Sequence, residues 1–286
     1  MSRQVWSTLR ATVGTAFAVQ AVCASVAIPL QTEKYYDLAG SATFIGCTLV
    51  SLYWRPLRAG LPLPSPLTFH PRQIVMSAFC CIWAGRLGSF LFQRIQRSGS
   101  DSRFDEIKKQ PTKFAGAWVL QGVWVSLTAF PVFCVNAVPA HLQPRLGIRD
   151  AIACALWLSA FGYEVTADRQ KSAWRAAKEA KEHDEKFITS GLWSQSRHPN
   201  YVGEVLLWAA QFVGSTSALL SPAVAGPIIP HWLGYLAVAS PMLEYALIRY
   251  ISGVPMLEES GDKKYGDDPR WKEYKRTTPV FFPRPW

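Results

Sequence analysis

Charge is scarce in this chain. Asp, Glu, Lys and Arg together make up 17% of its 286 residues, and only 20 of them are acids against 30 bases. The five histidines and six cysteines form no cluster with metal-ligand spacing, and no C-x-x-C pair occurs. Cys23, Cys47, Cys80, Cys81, Cys134 and Cys154 all lie inside apolar blocks and read as small buried hydrophobes. Neither a zinc site nor a disulfide framework is expected. No segment alternates as a half-exposed strand would, and there is no internal repeat or low-complexity tract. The net charge of +10 does not read as a nucleic-acid surface, because the bases sit in short segments between apolar blocks and recur beside acids.

What the chain has is apolar length. Hydrophobic residues account for 49% and aromatics for 13%, including twelve tryptophans. Seven apolar segments are separable, at about 13–30, 39–54, 74–93, 115–138, 150–166, 201–220 and 228–250. A helix needs roughly 20 residues to cross the hydrocarbon core, so the second and fifth are short for the purpose. In lipid the backbone must satisfy its own hydrogen bonds, which favours helices. The first segment follows Arg3 and Arg10 and reads as a retained span rather than a cleaved signal peptide. With seven spans, the segments 31–38, 94–114, 167–200 and 249–286 share one side and hold 22 of the 30 Lys and Arg; the opposite side holds seven. Arg86 lies within a span. That asymmetry puts the C-terminus in the cytosol and the N-terminus outside. The expected fold is all-α: a multi-pass transmembrane helical bundle of about seven spans, embedded in a lipid bilayer.

Three clusters carry candidate chemistry. The first is ADRQKSAWR at 167–175, on a charged helix expected to continue out of the fifth span. Lys171 and Arg175 are four apart and share a face. Such a pair suits a phosphate, and equally suits acidic lipid headgroups. The second is TSGLWSQSRHPNYVGE at 189–204. Gly191 is expected to break the charged helix and Pro199 to start the next, whose first turn presents N–H donors to an anion. Asn200 and Glu204 share a face, and a carboxylate one turn into a span is functional or paired, with Arg197 the nearest base for it. The third is the tail, in which Glu258, Glu259, Asp262, Lys264, Tyr265, Trp271, Tyr274 and Arg276 precede TPVFFP. Its aromatics would stack on a nucleobase or lie at a membrane surface. Arg86, Glu164 and Glu244 are lone charges in apolar blocks that read first as packing ion pairs.

In this order the three clusters resemble the membrane sterol and steroid reductases, and most closely the bacterial and fungal family of unknown function placed in the steroid 5α-reductase superfamily. ADRQKSAWR resembles their A-N-x-Q-K-x-x-F-R, with Asp168 for Asn and Trp174 for Phe. SGLWSQSRHPNYVGE resembles S-G-W-W-x-x-x-R-H-P-N-Y-x-G-D, matching at Trp193, Arg197, His198, Pro199, Asn200, Tyr201 and Gly203. Glu204 stands where the sterol reductases have Asp and the steroid 5α-reductases have Glu. The tail is similar to K-Y-G-x-x-W-x-x-Y, with Lys264, Tyr265, Gly266, Trp271 and Tyr274 in place. The likeness is strong over 160–286 and weaker over 74–125, in WAGRLGSFLFQR and SDSRF.

The resemblance implies N-terminal helices (1–140) on the substrate side and a cofactor half (141–286) that seats NADPH. It implies that Lys171 and Arg175 bind phosphates, with Asp168 beside them. Trp193, Arg197, His198, Asn200, Tyr201 and Glu204 would hold the cofactor body, and Glu258, Tyr265 and Tyr274 would close over it. The substrate would be a small lipid-like enone, in the endoplasmic reticulum of a eukaryote or the inner membrane of a bacterium. The proton donor has no clear counterpart: the second apolar block lacks the acid that steroid 5α-reductases use, and Tyr53, Tyr163 and Asp37 are the candidates. Isoprenylcysteine carboxyl methyltransferases share R-H-P-x-Y-x-G, so an S-adenosylmethionine enzyme or a non-catalytic membrane protein of the same fold are the alternatives.

Overall fold

A computed structural model describes residues 3–284 and is all-helical, with no strand among those residues. The chain divides into two compact units, residues 1–151 with 211–240, and residues 152–210 with 241–286. The first unit is built on α1 (Arg3–Ala27), α2 (Tyr36–Arg58), α3 (Pro71–Ser98), α4 (Pro111–Thr128) and α5 (Phe130–Ala137). Helix α2 packs between α1 and α3, and α4 packs on α1.

This unit buries polar side chains beside its apolar core and leaves large apolar ones outside. Thr8, Thr12, Gln20, Thr43, Thr48 and Ser51 are buried, while Val22, Leu120 and Ile82 are more than half exposed. The buried groups bond across helices: Gln20 Nε2 donates to Thr43 Oγ1 (2.8 Å), and Asn136 Nδ2 donates to Ser51 and Ser77 (2.9 Å each). Water-facing helices do the reverse. Apolar outer faces with small and hydrogen-bonding residues at the seams are what helices packed in lipid require. Two helices, Arg3–Ala27 and Pro71–Arg97, are long and apolar enough to cross a membrane. A third span is made if α4 and α5 count as one across their 57° bend. The bend follows from Pro131, which has no N–H to give and crowds the carbonyl four residues back. Ser240 donates its hydroxyl to the Thr128 carbonyl at that break.

Where α3 begins, the side chain of Gln73 accepts from His70 N (3.0 Å) and donates to the carbonyls of Val135, Asn136 and Val138. Its neighbour Arg72, 2% exposed, grips Asp150 through two nitrogens (2.6 and 3.0 Å). Arg86, the lone cation of the third apolar segment, lies over the Phe90 ring (5.2 Å).

The second unit takes most of α6 (Ile148–Glu179) and the first half of α7 (Pro199–Leu219). The 32-residue α6 carries the apolar and the charged segment without a break, as expected. It ends at Glu179, and the reversal is made by Lys181 at φ 59° rather than by Gly191. Gly191, at φ 61°, opens a short 3₁₀ turn instead. Pro199 starts α7. The seventh apolar segment is not one helix: it divides into α8 (His231–Leu236), α9 (Ala239–Ala246) and a π-helical turn at Leu247–Ile251. The tail folds as α10 (Val254–Tyr265) and α11 (Pro269–Thr277).

Gly203 sets how closely α7 approaches α6. A Cβ there would lie 2.7 Å from Glu164 Cβ, 2.8 Å from Glu164 N and 2.9 Å from Ala160 O. Two of those atoms are helix backbone and cannot step aside. Gly203→Ala is expected to cost about 1–3 kcal/mol by overpacking, read as a fall of several degrees in Tm of detergent-purified protein. Gly116→Ala on α4, where a Cβ meets nothing within 4 Å, leaves Tm unchanged or higher.

Candidate functional site

The last turns of α6 form a graded face. Asp168 is buried, Lys171 half-buried and Arg175 exposed. Lys171 Nζ sits 4.4 Å from the centroid of the Trp193 ring, a cation–π distance. Trp193 is fixed at both ends: its Nε1 donates to Ala167 O (3.0 Å), and its carbonyl accepts from Tyr274 Oη (2.6 Å). Gln170 sits under the same turn, accepting from Leu192 N (2.9 Å). Gly191 takes a positive φ of 61° that favours glycine, and a Cβ there would displace the Gln170 amide from its bond to Leu192 N.

Arg197 and Glu258 form the centre. Arg197 Nε and Nη2 meet both carboxylate oxygens of Glu258 (3.1 and 2.8 Å). Its Nη1 donates to the carbonyls of Lys275 (3.0 Å) and Thr278 (2.7 Å). Its partner is therefore Glu258 on α10, 61 residues along the chain. His198 Nε2 lies 2.9 Å from Glu258 Oε1. Burial alone would raise the Glu258 carboxyl; the hydrogen bonds from His198 and Arg197 and the guanidinium charge outweigh it and hold it at about 2. Burial also lowers His198 against the pull of Glu258, so the imidazole is neutral at pH 7. A neutral ring facing a carboxylate must carry its proton on Nε2. Nδ1 then holds a buried lone pair with no hydrogen-bond partner among the described residues.

The tail is locked on by a second set of contacts. Asp262 accepts from Trp271 Nε1 (2.8 Å) and from Lys275 Nζ (2.8 Å). Phe187 packs against Tyr265 (5.4 Å), Trp271 (5.0 Å) and Tyr274 (5.8 Å).

Of the residues singled out in the sequence, Lys171, Trp193, Arg197, His198, Glu258 and Tyr274 thus form one connected network. Tyr201 stacks on His198 (5.9 Å, 16°). Asn200 is half-buried and Glu204 buried, both in the first turns of α7. Tyr265 belongs to the Phe187 ring cluster. Arg175 makes no hydrogen bond or ion pair among the described residues. Tyr163 packs against Val202, Val205 and their neighbours, and its hydroxyl has no hydrogen-bond partner among the described residues. Tyr53 lies in the other unit with its ring edge-on to Phe69 (5.0 Å). Sequence reasoning missed Gln170 and Phe187 as organisers, and missed the pairing of Asp262 with Lys275. All three join positions that no helical periodicity links. Among the described residues no group of His, Cys, Asp or Glu is placed to hold a metal ion.

Because Glu258 is held below the ordinary glutamate value of 4.5, its stabilising effect is complete above that pH and disappears as pH falls toward 2. The contribution is on the order of 3 kcal/mol. Tm of the purified protein measured from pH 7 to pH 2 is expected to drop through that window. Glu258→Gln should flatten this component and lower Tm at pH 7, since it leaves Arg197 with its charge unmatched. Superimposable Tm–pH curves for the two proteins would contradict the assignment.

The family described as Protein of unknown function (DUF1295) matches residues 26–278. An uncharacterized protein of Schizosaccharomyces pombe is 23% identical over 237 residues, covering 74% of this chain and 64% of the yeast protein. The chain thus matches less than two thirds of that relative's length. No solved structure matches. With nearly its whole length covered by that family, from the end of α1 through α11, the chain belongs to DUF1295.

Proposed function

We propose that this chain is a membrane-embedded, NADPH-dependent reductase of an activated C=C bond in a steroid, sterol or other lipid-like enone. The observation that carries this reading is the α6 face. Lys171 is held over Trp193, and one turn on Arg175 stands open with no hydrogen bond or ion pair among the described residues. A point-like ammonium and a forked guanidinium at that spacing suit the phosphates of a dinucleotide. The buried lone pair of His198 Nδ1 asks for an N–H or O–H donor, and the dinucleotide carries such donors on its ribose and carboxamide groups.

NADPH would supply the hydride. Lys171 and Arg175 hold its phosphates, and Trp193, only 3% exposed as a residue, acts by placing Lys171 rather than by stacking on a base. Asn200, Tyr201 and Glu204 orient the cofactor from the first turns of α7. Arg197 spends four contacts on protein acceptors, so with Glu258 it fixes the α10–α11 tail over the site, carrying Tyr265 and Tyr274 with it. Of the two tyrosines considered for polarising a substrate carbonyl, Tyr163 is preferred. It shares a unit with these groups, and its hydroxyl has no internal bond to break. The seven-span topology with a cytosolic C-terminus belongs to this reading, since it places the site where cytosolic NADPH and a lipid-dissolved substrate meet.

Thermal unfolding of detergent-purified protein with NADPH, NADH or S-adenosylmethionine tests it. NADPH at 100 times its Kd is expected to add about 2.7 kcal/mol. Lys171→Ala and Arg175→Ala reduce that shift, Arg175→Ala more so. Tyr163→Phe leaves it intact while abolishing turnover of an enone. A response to S-adenosylmethionine alone would favour the methyltransferase, and indifference to all three a non-catalytic protein.

A further inference from the structure

The first unit contains a cleft of about 770 Å³ at the start of α1 and the end of α2, floored by residues that follow α5 and begin α3. Its volume falls within the range of small-molecule sites, roughly 300–1,000 Å³. Three arginines converge on it, Arg3, Arg55 and Arg58, and no Asp or Glu is among its lining residues. A second opening of about 600 Å³ shares Arg3 and Arg58 and adds Arg10. Several other cations of the same unit are matched by acids: Arg72 with Asp150, Lys108 with Glu33, Arg103 with Asp101 and Asp37. Here they are not. Arg3 and Arg55 make no hydrogen bond or ion pair among the described residues. Arg58 donates only to Ser7 Oγ (2.8 Å), a hydroxyl that also accepts from Trp54 Nε1 (2.9 Å).

The helix dipole accounts for part of this and fails for the rest. Arg55 and Arg58 lie in the last turn of α2, where cations are favoured. Arg3 opens α1, where the N-terminal dipole disfavours a cation. Bringing all three to one opening with no carboxylate is unfavourable until an anion enters. The interior of the cleft points to the rest of the ligand. Its walls include Leu52, Trp54, Phe69 and Val138. Its floor holds Asn136, 4% exposed, whose Nδ2 is used by Ser51 and Ser77 but whose Oδ1 is buried with no hydrogen-bond partner among the described residues. A buried acceptor in a polar floor calls for a hydroxyl or N–H donor from whatever fills the space.

We propose that this cleft binds a phosphate monoester carried on an apolar body, a lysophosphatidate-like lipid, with Arg3, Arg55 and Arg58 around the phosphate and a hydroxyl of the ligand donating to Asn136. A dianion answers three cations better than a carboxylate does, and the apolar walls answer an acyl chain. The site lies wholly in the first unit and does not depend on the reductase reading.

The test is thermal unfolding and equilibrium binding of the full-length protein in a neutral maltoside detergent, with four probes: 1-oleoyl lysophosphatidate, monoolein, glycerol 3-phosphate and inorganic phosphate. Lysophosphatidate is expected to bind and stabilise, the two soluble phosphates to bind at least tenfold more weakly, and monoolein to do nothing. Arg55→Gln and Arg58→Gln each raise the lysophosphatidate Kd about tenfold. Arg149→Gln, an exposed arginine outside the cleft, changes it less than twofold. Arg55→Gln breaks no side-chain hydrogen bond or ion pair among the described residues, so the comparison survives even if Arg58→Gln folds poorly. The proposal is overturned if lysophosphatidate does not bind or if Arg149→Gln weakens it as much as Arg55→Gln. It is likewise overturned if glycerol 3-phosphate binds as tightly as the lipid.

Discussion

Arg197 and Glu258 meet through two parallel hydrogen bonds, with side chains 10% and 17% exposed, and the second unit's polar end is assembled around that pair. Taking two charges out of water is expensive, and a buried pair of this kind gains little net stability over an apolar substitute. What it does gain is register. Arg197 leaves the chain just before α7; Glu258 is midway along α10; the carbonyls on Nη1 belong to Lys275 and Thr278 at the end of α11. Loop, helix and tail must take up one arrangement to satisfy all four hydrogen bonds together. His198 joins the same carboxylate and is thereby held to one tautomer. The stacking of Tyr201 on His198, the seat of Trp193 under Tyr274 and the depth of Gly203 against α6 follow once that register is set.

The first unit solves a different problem with weaker bonds. Its helices expose leucines and valines and bury threonines, serines, Gln20, Gln121 and Asn136. In a bilayer the outside offers no hydrophobic penalty for an exposed leucine, so packing must come from close seams and from interhelical hydrogen bonds. Gly88 against Ser41 and Gly40 against Gln121 are such seams, where a Cβ would come within 2.6 and 2.8 Å of the facing side chain. Charged groups gather instead in the connections, where Glu33, Asp37, Asp101, Arg103 and Lys108 neutralise one another.

Most of the helices were legible in the sequence because apolar length and a terminating proline or glycine are local signals. α2, α3, α6 and α7 cover the hydrophobic runs read for them, and Pro199 starts α7 as expected. Three features were not. The 57° bend at Ala129 was hidden because Pro131 sits within an apolar run that otherwise reads as one span. The seventh segment was read as continuous, yet it divides into α8, α9 and a π-turn, with Pro230 capping α8 and Pro241 in the first turn of α9. The partner of Arg197 was not legible at all. Glu204, seven residues away, is the nearer carboxylate in sequence, and nothing local reveals that α10 returns Glu258 to the guanidinium.

That last point bears on what the shared motif means. Arg197, Pro199 and Gly203 each have a complete account within the fold, as a latch, a helix start and a close helix crossing, and His198 is held to the latch through Nε2. A motif explained by architecture is free to recur in enzymes of unrelated chemistry, which is why R-H-P-x-Y-x-G by itself does not separate a reductase from a methyltransferase. The residues that can separate them are those the fold leaves without employment: the open Arg175, the lone pair on His198 Nδ1 and the hydroxyl of Tyr163. None of these stabilises anything within the described residues. A buried acceptor and a buried hydroxyl left unbonded are each costly, by about 1–3 kcal/mol. On the reading proposed here that cost is met by a bound ligand, and Arg175, His198 Nδ1 and the Tyr163 hydroxyl test it better than the motif that surrounds them.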